Sequence, residues 1–67
     1  MKFKCRLKII LWERGISQGE FAKRINVSQH AISSFVTGKS LPKFENVYRI
    51  CEELDMKINE IWIKENE

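Results

Sequence analysis

Side chains able to do chemistry are few in this sequence and widely spaced. A single histidine, His30, and two distant cysteines, Cys5 and Cys51, offer no recognisable zinc-ligand spacing. There is no glycine-rich phosphate loop, no His-Glu-x-x-His ligand pair and no nucleophile with a base at a meaningful spacing. A chain of 67 residues also leaves no room for a substantial pocket, so neither catalysis, nor a metal, nor a cofactor is expected. What remains is hydrogen-bonding chemistry, and it is concentrated in Gln29, His30, Ser33 and Ser34. The Gln29 carboxamide donates and accepts in one plane, the arrangement that pairs with adenine N6 and N7. His30 can donate to a guanine acceptor or to a phosphate, or simply face water. The two serines can contact either bases or phosphates and discriminate weakly. A helix carrying these four and no arginine would depend on few base contacts plus the shape of the duplex. The plain alternative is a solvated polar helix face.

The elements that must hold these four side chains are legible around them. Ser17 can cap a helix, with Glu20 three residues on completing a capping box, and Phe21, Ala22 and Ile25 give it an inward face. Asn26 stops it, because Asn tolerates the left-handed backbone of a tight interhelical turn, and Val27 can plug the corner. Ser28 caps the next helix. Ile32, Phe35 and Val36 keep an apolar face at spacings of three and four, leaving Gln29, His30, Ser33 and Ser34 outward. Gly38 suits the left-handed residue that closes it. Residues 17–38 therefore read as a helix-turn-helix.

The rest of the chain reads as helices that cover this pair. A first helix is expected from about Phe3 to Arg14, with Leu7 and Ile10 inward, Phe3 or Cys5 closing one end, and Gly15 terminating it. Ile9, Leu11 and Trp12 are surplus to one apolar stripe and need cover. After the connector Lys39 to Lys43, Pro42 suits the first turn of a fourth helix through Phe44, Val47, Ile50, Cys51 and Leu54, broken at Asp55. A short last helix from Ile58 or Asn59 should bring Ile61 and Trp62 to the core, with a polar tail, 64–67, that frays. No alternating run of strand length, repeat or linker is seen. The expectation is one domain over residues 1–67, all-α, a compact bundle of about five short helices.

Composition agrees, at 43% hydrophobic and 31% charged residues. Cys5 and Cys51 are expected as reduced thiols in helical patterns, with a disulfide between them as the lesser alternative. The basic residues before Ile9 to Trp12 imitate a leader, but the apolar run is short and no small-residue cleavage site follows, so neither export nor a membrane span is expected and the location is read as cytoplasmic. Net charge is +3 but unevenly placed. Residues 1–43 carry nine Lys/Arg against Glu13 and Glu20, net +7, and residues 44–67 carry three against seven acids, net −4. Positive charge gathered around a helix-turn-helix suits a polyanion, with Lys39 and Lys43 beside the connector as phosphate ligands. Lys23 and Arg24 are ambiguous, since they can equally solvate the back of their helix.

From roughly Cys5 to Trp62 the chain resembles the Xre/Cro group of bacterial and phage repressors. The residues that carry the likeness are Gly15-Ile16-Ser17-Gln18, Ala22, Val27-Ser28, Ile32, Thr37-Gly38-Lys39, Pro42, and the ending Leu54 to Trp62. The resemblance implies a lambda-repressor-like fold whose second motif helix enters the major groove, so that Gln29, His30, Ser33 and Ser34 face base edges. It also implies that Gln18 holds a phosphate, with Ser28 at the cap of the recognition helix assigned the same role. Double-stranded operator DNA would be the partner, bound by a homodimeric repressor. Two departures stand out. Leu11 and Val36 are apolar where many members carry an Arg and an acid, so a hydrophobic contact is expected in place of an ion pair. Asn26 replaces the common turn glycine. The competing reading is an antitoxin or regulatory subunit that holds a protein partner through Leu11 and Trp12.

Overall fold

The computed structural model describes residues 2–66, and four of its helices end in the same way. The elements, in chain order, are β1 (Phe3–Cys5), α1 (Leu7–Glu13), α2 (Gln18–Ile25), α3 (Gln29–Val36), α4 (Phe44–Leu54), α5 (Ile58–Ile61) and β2 (Trp62–Lys64). Gly15, Asn26, Gly38 and Asp55 all hold positive φ, at 68°, 59°, 78° and 54°. After each, the next amide turns back to a carbonyl five residues earlier: Ile16 to Leu11, Val27 to Ala22, Lys39 to Ser34 and Met56 to Cys51, at 2.9–3.0 Å. This closing motif satisfies carbonyls that a helix end otherwise leaves open. It also drives Ile16, Val27 and Met56 against the core, so the corners are packed as well as turned.

Serine caps open the two central helices. The Ser17 Oγ accepts from the Glu20 N–H and the Ser28 Oγ from the Ala31 N–H, both at 3.0 Å. The return half of the expected box at Ser17 is replaced by an ion pair, the Glu20 carboxylate lying 3.6 Å from Arg24. Arg24 also meets Glu53 of α4 at 3.8 Å, and Arg49 of α4 donates to the Ile25 carbonyl at 3.4 Å, so two arginines tie α4 to α2.

Every helix contributes to one core. Leu7, Ile10 and Leu11 enter from α1, Phe21, Ala22 and Ile25 from α2, and Ile32 and Phe35 from α3. Ile50 and Leu54 enter from α4, and Ile61 and Trp62 close the far side. At roughly 1.5–3 kcal/mol for each large apolar side chain removed from water, this cluster is the main favourable term in folding.

The sequence expectations need five corrections. The first helix begins at Leu7, because Phe3–Cys5 pairs antiparallel with Trp62–Lys64, in the register Phe3 with Lys64, Lys4 with Ile63 and Cys5 with Trp62. Phe3, Leu7 and Ile10 do share helical spacing, but the hydrogen bonds between the two strands outweigh that local pattern. Lys64 is consequently a strand residue rather than fraying tail, and the Glu65 N–H reaches the Lys2 carbonyl at 2.9 Å; Glu67 lies outside the described residues. Trp62 is buried as expected, but from β2, its φ of −109° having left the helix. Pro42 precedes the cap residue Lys43 instead of occupying the first turn of α4, and Phe44 is 82% exposed rather than inward. Leu11, finally, needs no outside cover. It is 1% exposed, while Ile9 and Trp12 stay exposed.

Candidate nucleic-acid interface

α3 presents its polar face because its apolar face is fully used. Ile32 and Phe35 are buried, and Ala31 and Val36 pack against the core from the flanks. Gln29, His30 and Ser33 are left exposed on the opposite side. Ser34 is half-buried and sits at the edge of that face rather than on it. Its carbonyl accepts from the Lys39 N–H at 3.0 Å and the Thr37 Oγ at 3.3 Å, so its place is at the closing turn of the helix.

Thr37 belongs to the exposed face and was not singled out from sequence. It lies one turn beyond Ser33, exposed, with its hydroxyl donating to the Ser33 carbonyl at 2.9 Å. The donated proton leaves the oxygen lone pairs free to accept. Its signal was the i+4 spacing from Ser33, obscured because Thr37 also reads as part of the Thr-Gly-Lys ending.

The starts of α2 and α3 come together at one point. The Gln29 carboxamide lies over Gly19, where a Cβ would meet its Oε1 at 3.1 Å, and Gln18 is the adjacent first residue of α2. Gln18 is half-buried and borders a shallow apolar recess with Lys8, Ile9, Trp12 and Ile16. Ser28 stands at the cap of α3, its oxygen engaged with Ala31 while its hydroxyl proton remains available to an outside acceptor.

Lys39 and Lys43 are both exposed in the segment between α3 and α4, which forms neither helix nor strand. Lys43 is the cap residue of α4 and brings no side-chain acceptor, so the opening amides of that helix lack the serine oxygen that α2 and α3 enjoy. The positive end of a helix and a lysine together favour an anion, while Glu45 in the same first turn is drawn away to Arg49 at 2.7 Å. Of the other basic residues, Arg24 is engaged by Glu20 and Glu53, as described above, whereas Lys23 is exposed.

A second surface is apolar. Phe3, Leu41, Val47, Ile58, Trp62 and Ile63 line a groove that includes no residue of α2 or α3. The indole Nε1 of Trp62 is buried with no hydrogen-bond partner among the described residues. Both cysteines are free, and burial pushes each thiol above its ordinary range; at Cys5 a backbone hydrogen bond from Leu7 partly opposes the rise. No helix among the described residues is long and apolar enough to cross a membrane.

A family model described as helix-turn-helix matches residues 7–61, from the first residue of α1 to the last of α5. Among solved structures the chain is similar to a transcriptional regulator from Listeria innocua, with a TM-score of 0.78 and 21% identity. That likeness covers 92% of this chain and 58% of the other, so the present chain spans little more than half of the Listeria protein's length. No curated protein matches the chain.

Proposed function

The chain belongs to the Xre/Cro-like helix-turn-helix family, and from that membership we propose that it is a sequence-specific double-stranded DNA-binding repressor acting as a homodimer on a palindromic operator. The observation that carries this reading is the exposed face of α3, on which Gln29, His30 and Ser33 stand clear of a helix otherwise committed to the core. On this reading Gln29 reads a base pair, His30 and Ser33 add weaker contacts, and Ser34 contributes from the edge. Gln18, Ser28, Lys39 and Lys43 hold phosphates and fix the register. Repression follows from occupancy, in the cytoplasm. The apolar groove supports a dimer, because self-association through it leaves α3 free for DNA.

One observation favours a second reading, a module that holds a protein partner. Trp12 is 80% exposed beside the half-exposed Ile9, a large apolar side chain with no use in DNA reading. Leu11 no longer belongs to that surface. Selection from a pool of random duplexes separates the two readings. Recovery of a two-fold related site supports the repressor, and no enrichment even at low salt supports the protein-binding module.

A further inference from the structure

Gly19 is hard to explain as a helix residue. It lies in the first turn of α2, its φ is not in the left-handed region, and glycine weakens a helix relative to alanine. Its surroundings supply the reason. A Cβ built there would stand 3.1 Å from the Oε1 of Gln29, 3.5 Å from its Cδ and 3.9 Å from its Nε2. A Cβ there would press on the end of the Gln29 carboxamide more tightly than ordinary contact allows, so the amide would have to give by a few tenths of an ångström. Gly15 and Gly38, by contrast, are accounted for by their positive φ, and a Cβ at either would meet nothing within 4 Å.

We infer that Gly19 is a positioning residue for base reading: its bare backbone seats the Gln29 carboxamide and fixes the plane of that amide before DNA arrives. The inference rests on the proposed reading of Gln29 as a base contact. Its physical content is preorganisation. A long amide side chain on an exposed helix samples many rotamers, and ordering it on contact with a base costs affinity that a preformed seat saves.

The test uses Gly19→Ala, Gln29→Ala and the double variant on the selected operator, on operators altered at the Gln29-dependent base pair, and on unrelated duplex. Alanine at 19 collides only with the end of a flexible side chain, so the melting temperature should hold or rise. Operator affinity should nevertheless fall about three- to tenfold, the range expected for forcing one side chain off its preferred rotamer. Preference at that base pair should relax, and affinity for unrelated duplex should not change. In the Gln29→Ala background Gly19→Ala should have no effect on binding. Without DNA, proton NMR should show a cross-peak between the Gln29 side-chain amide and the Gly19 α-protons. Unchanged operator affinity in Gly19→Ala, an equal loss in both backgrounds, or a missing cross-peak overturns the inference while wild-type operator binding leaves the repressor reading standing. Failure of the wild-type protein to select any DNA overturns both.

Discussion

Lys39 and Lys43 carry compact charges outside α3, whereas Gln29 carries a planar amide on it, and the difference predicts opposite behaviour on DNA. Truncating either lysine to alanine should weaken operator and unrelated duplex alike and make the salt dependence shallower by about one ion per lost phosphate contact. Gln29→Ala should cost about 1–3 kcal/mol on the operator only, relaxing preference at one position per half-site with the salt slope intact. Titrations of both DNAs at two salt concentrations check this, and the reverse pattern would mean that α3 is wrongly oriented in the groove. The cysteines predict a pH effect. Burial raises both thiols, so the folded chain holds their protons more tightly than the unfolded chain does. Their contribution to stability is therefore complete below the ordinary thiol range, about pH 8.5, and is lost as pH rises through the raised values. Urea unfolding at pH 7.5 and 9.5 should show the decline, and Cys5→Ser combined with Cys51→Ser should flatten it. An unaltered slope in the double variant would place the effect elsewhere.

Among the elements, α1 and α3 each bring to the core an apolar residue, Leu11 and Val36, where the family resemblance implies the partners of an ion pair. Leu11 is buried and Val36 is half-buried against the same core. Leu11→Arg alone should bury an unpaired charge and cost about 3–5 kcal/mol. Adding Val36→Glu should recover part of that loss if the two positions touch, and thermal unfolding of the singles and the double decides it. A double variant no more stable than Leu11→Arg would rule out the contact. The starts of α2 and α3 and the ends of α1 to α4 were legible in the sequence because they are set locally: Ser17 and Ser28 accept the bonds expected of caps, and Gly15, Asn26, Gly38 and Asp55 stop their helices in the left-handed conformation. β1 and β2 were not legible. Three residues are too few to establish an alternating period, and what makes them strands is each other, across nearly the whole chain. The site divides in the same way. The outward face of α3 follows from periodicity, whereas Gly19 beneath Gln29 depends on two helices meeting, which no spacing within either one reports.

For the whole molecule, the charge division of the sequence does not translate into two separate ends. The strand pair sets Phe3–Cys5, from the basic part of the sequence, beside Trp62–Lys64, from the acidic part, each strand with one lysine and no acid, so these two segments form one face, and the apolar groove runs along it. Self-association is therefore expected on this shared face, which contains both β-strands and the start of α5, rather than on an acidic half alone. A dimer made through α3 would bury the side chains needed for DNA, while the groove offers exposed Phe3, Leu41, Ile58 and Ile63 and leaves α3 uncovered. Paired through that groove, the two α3 helices should lie one DNA turn apart, about 34 Å, and the selected operator should show half-sites at the same spacing. Ile58 is 55% exposed, so Ile58→Glu should leave the monomer fold intact while placing two carboxylates against an apolar surface in the dimer. Sedimentation equilibrium should then report a monomer for the variant and a dimer for the wild-type chain. Operator binding should lose its cooperativity, and affinity for an isolated half-site should be retained. A wild-type chain that is monomeric at high micromolar concentration, or an Ile58→Glu variant that stays dimeric, would remove the groove as the interface.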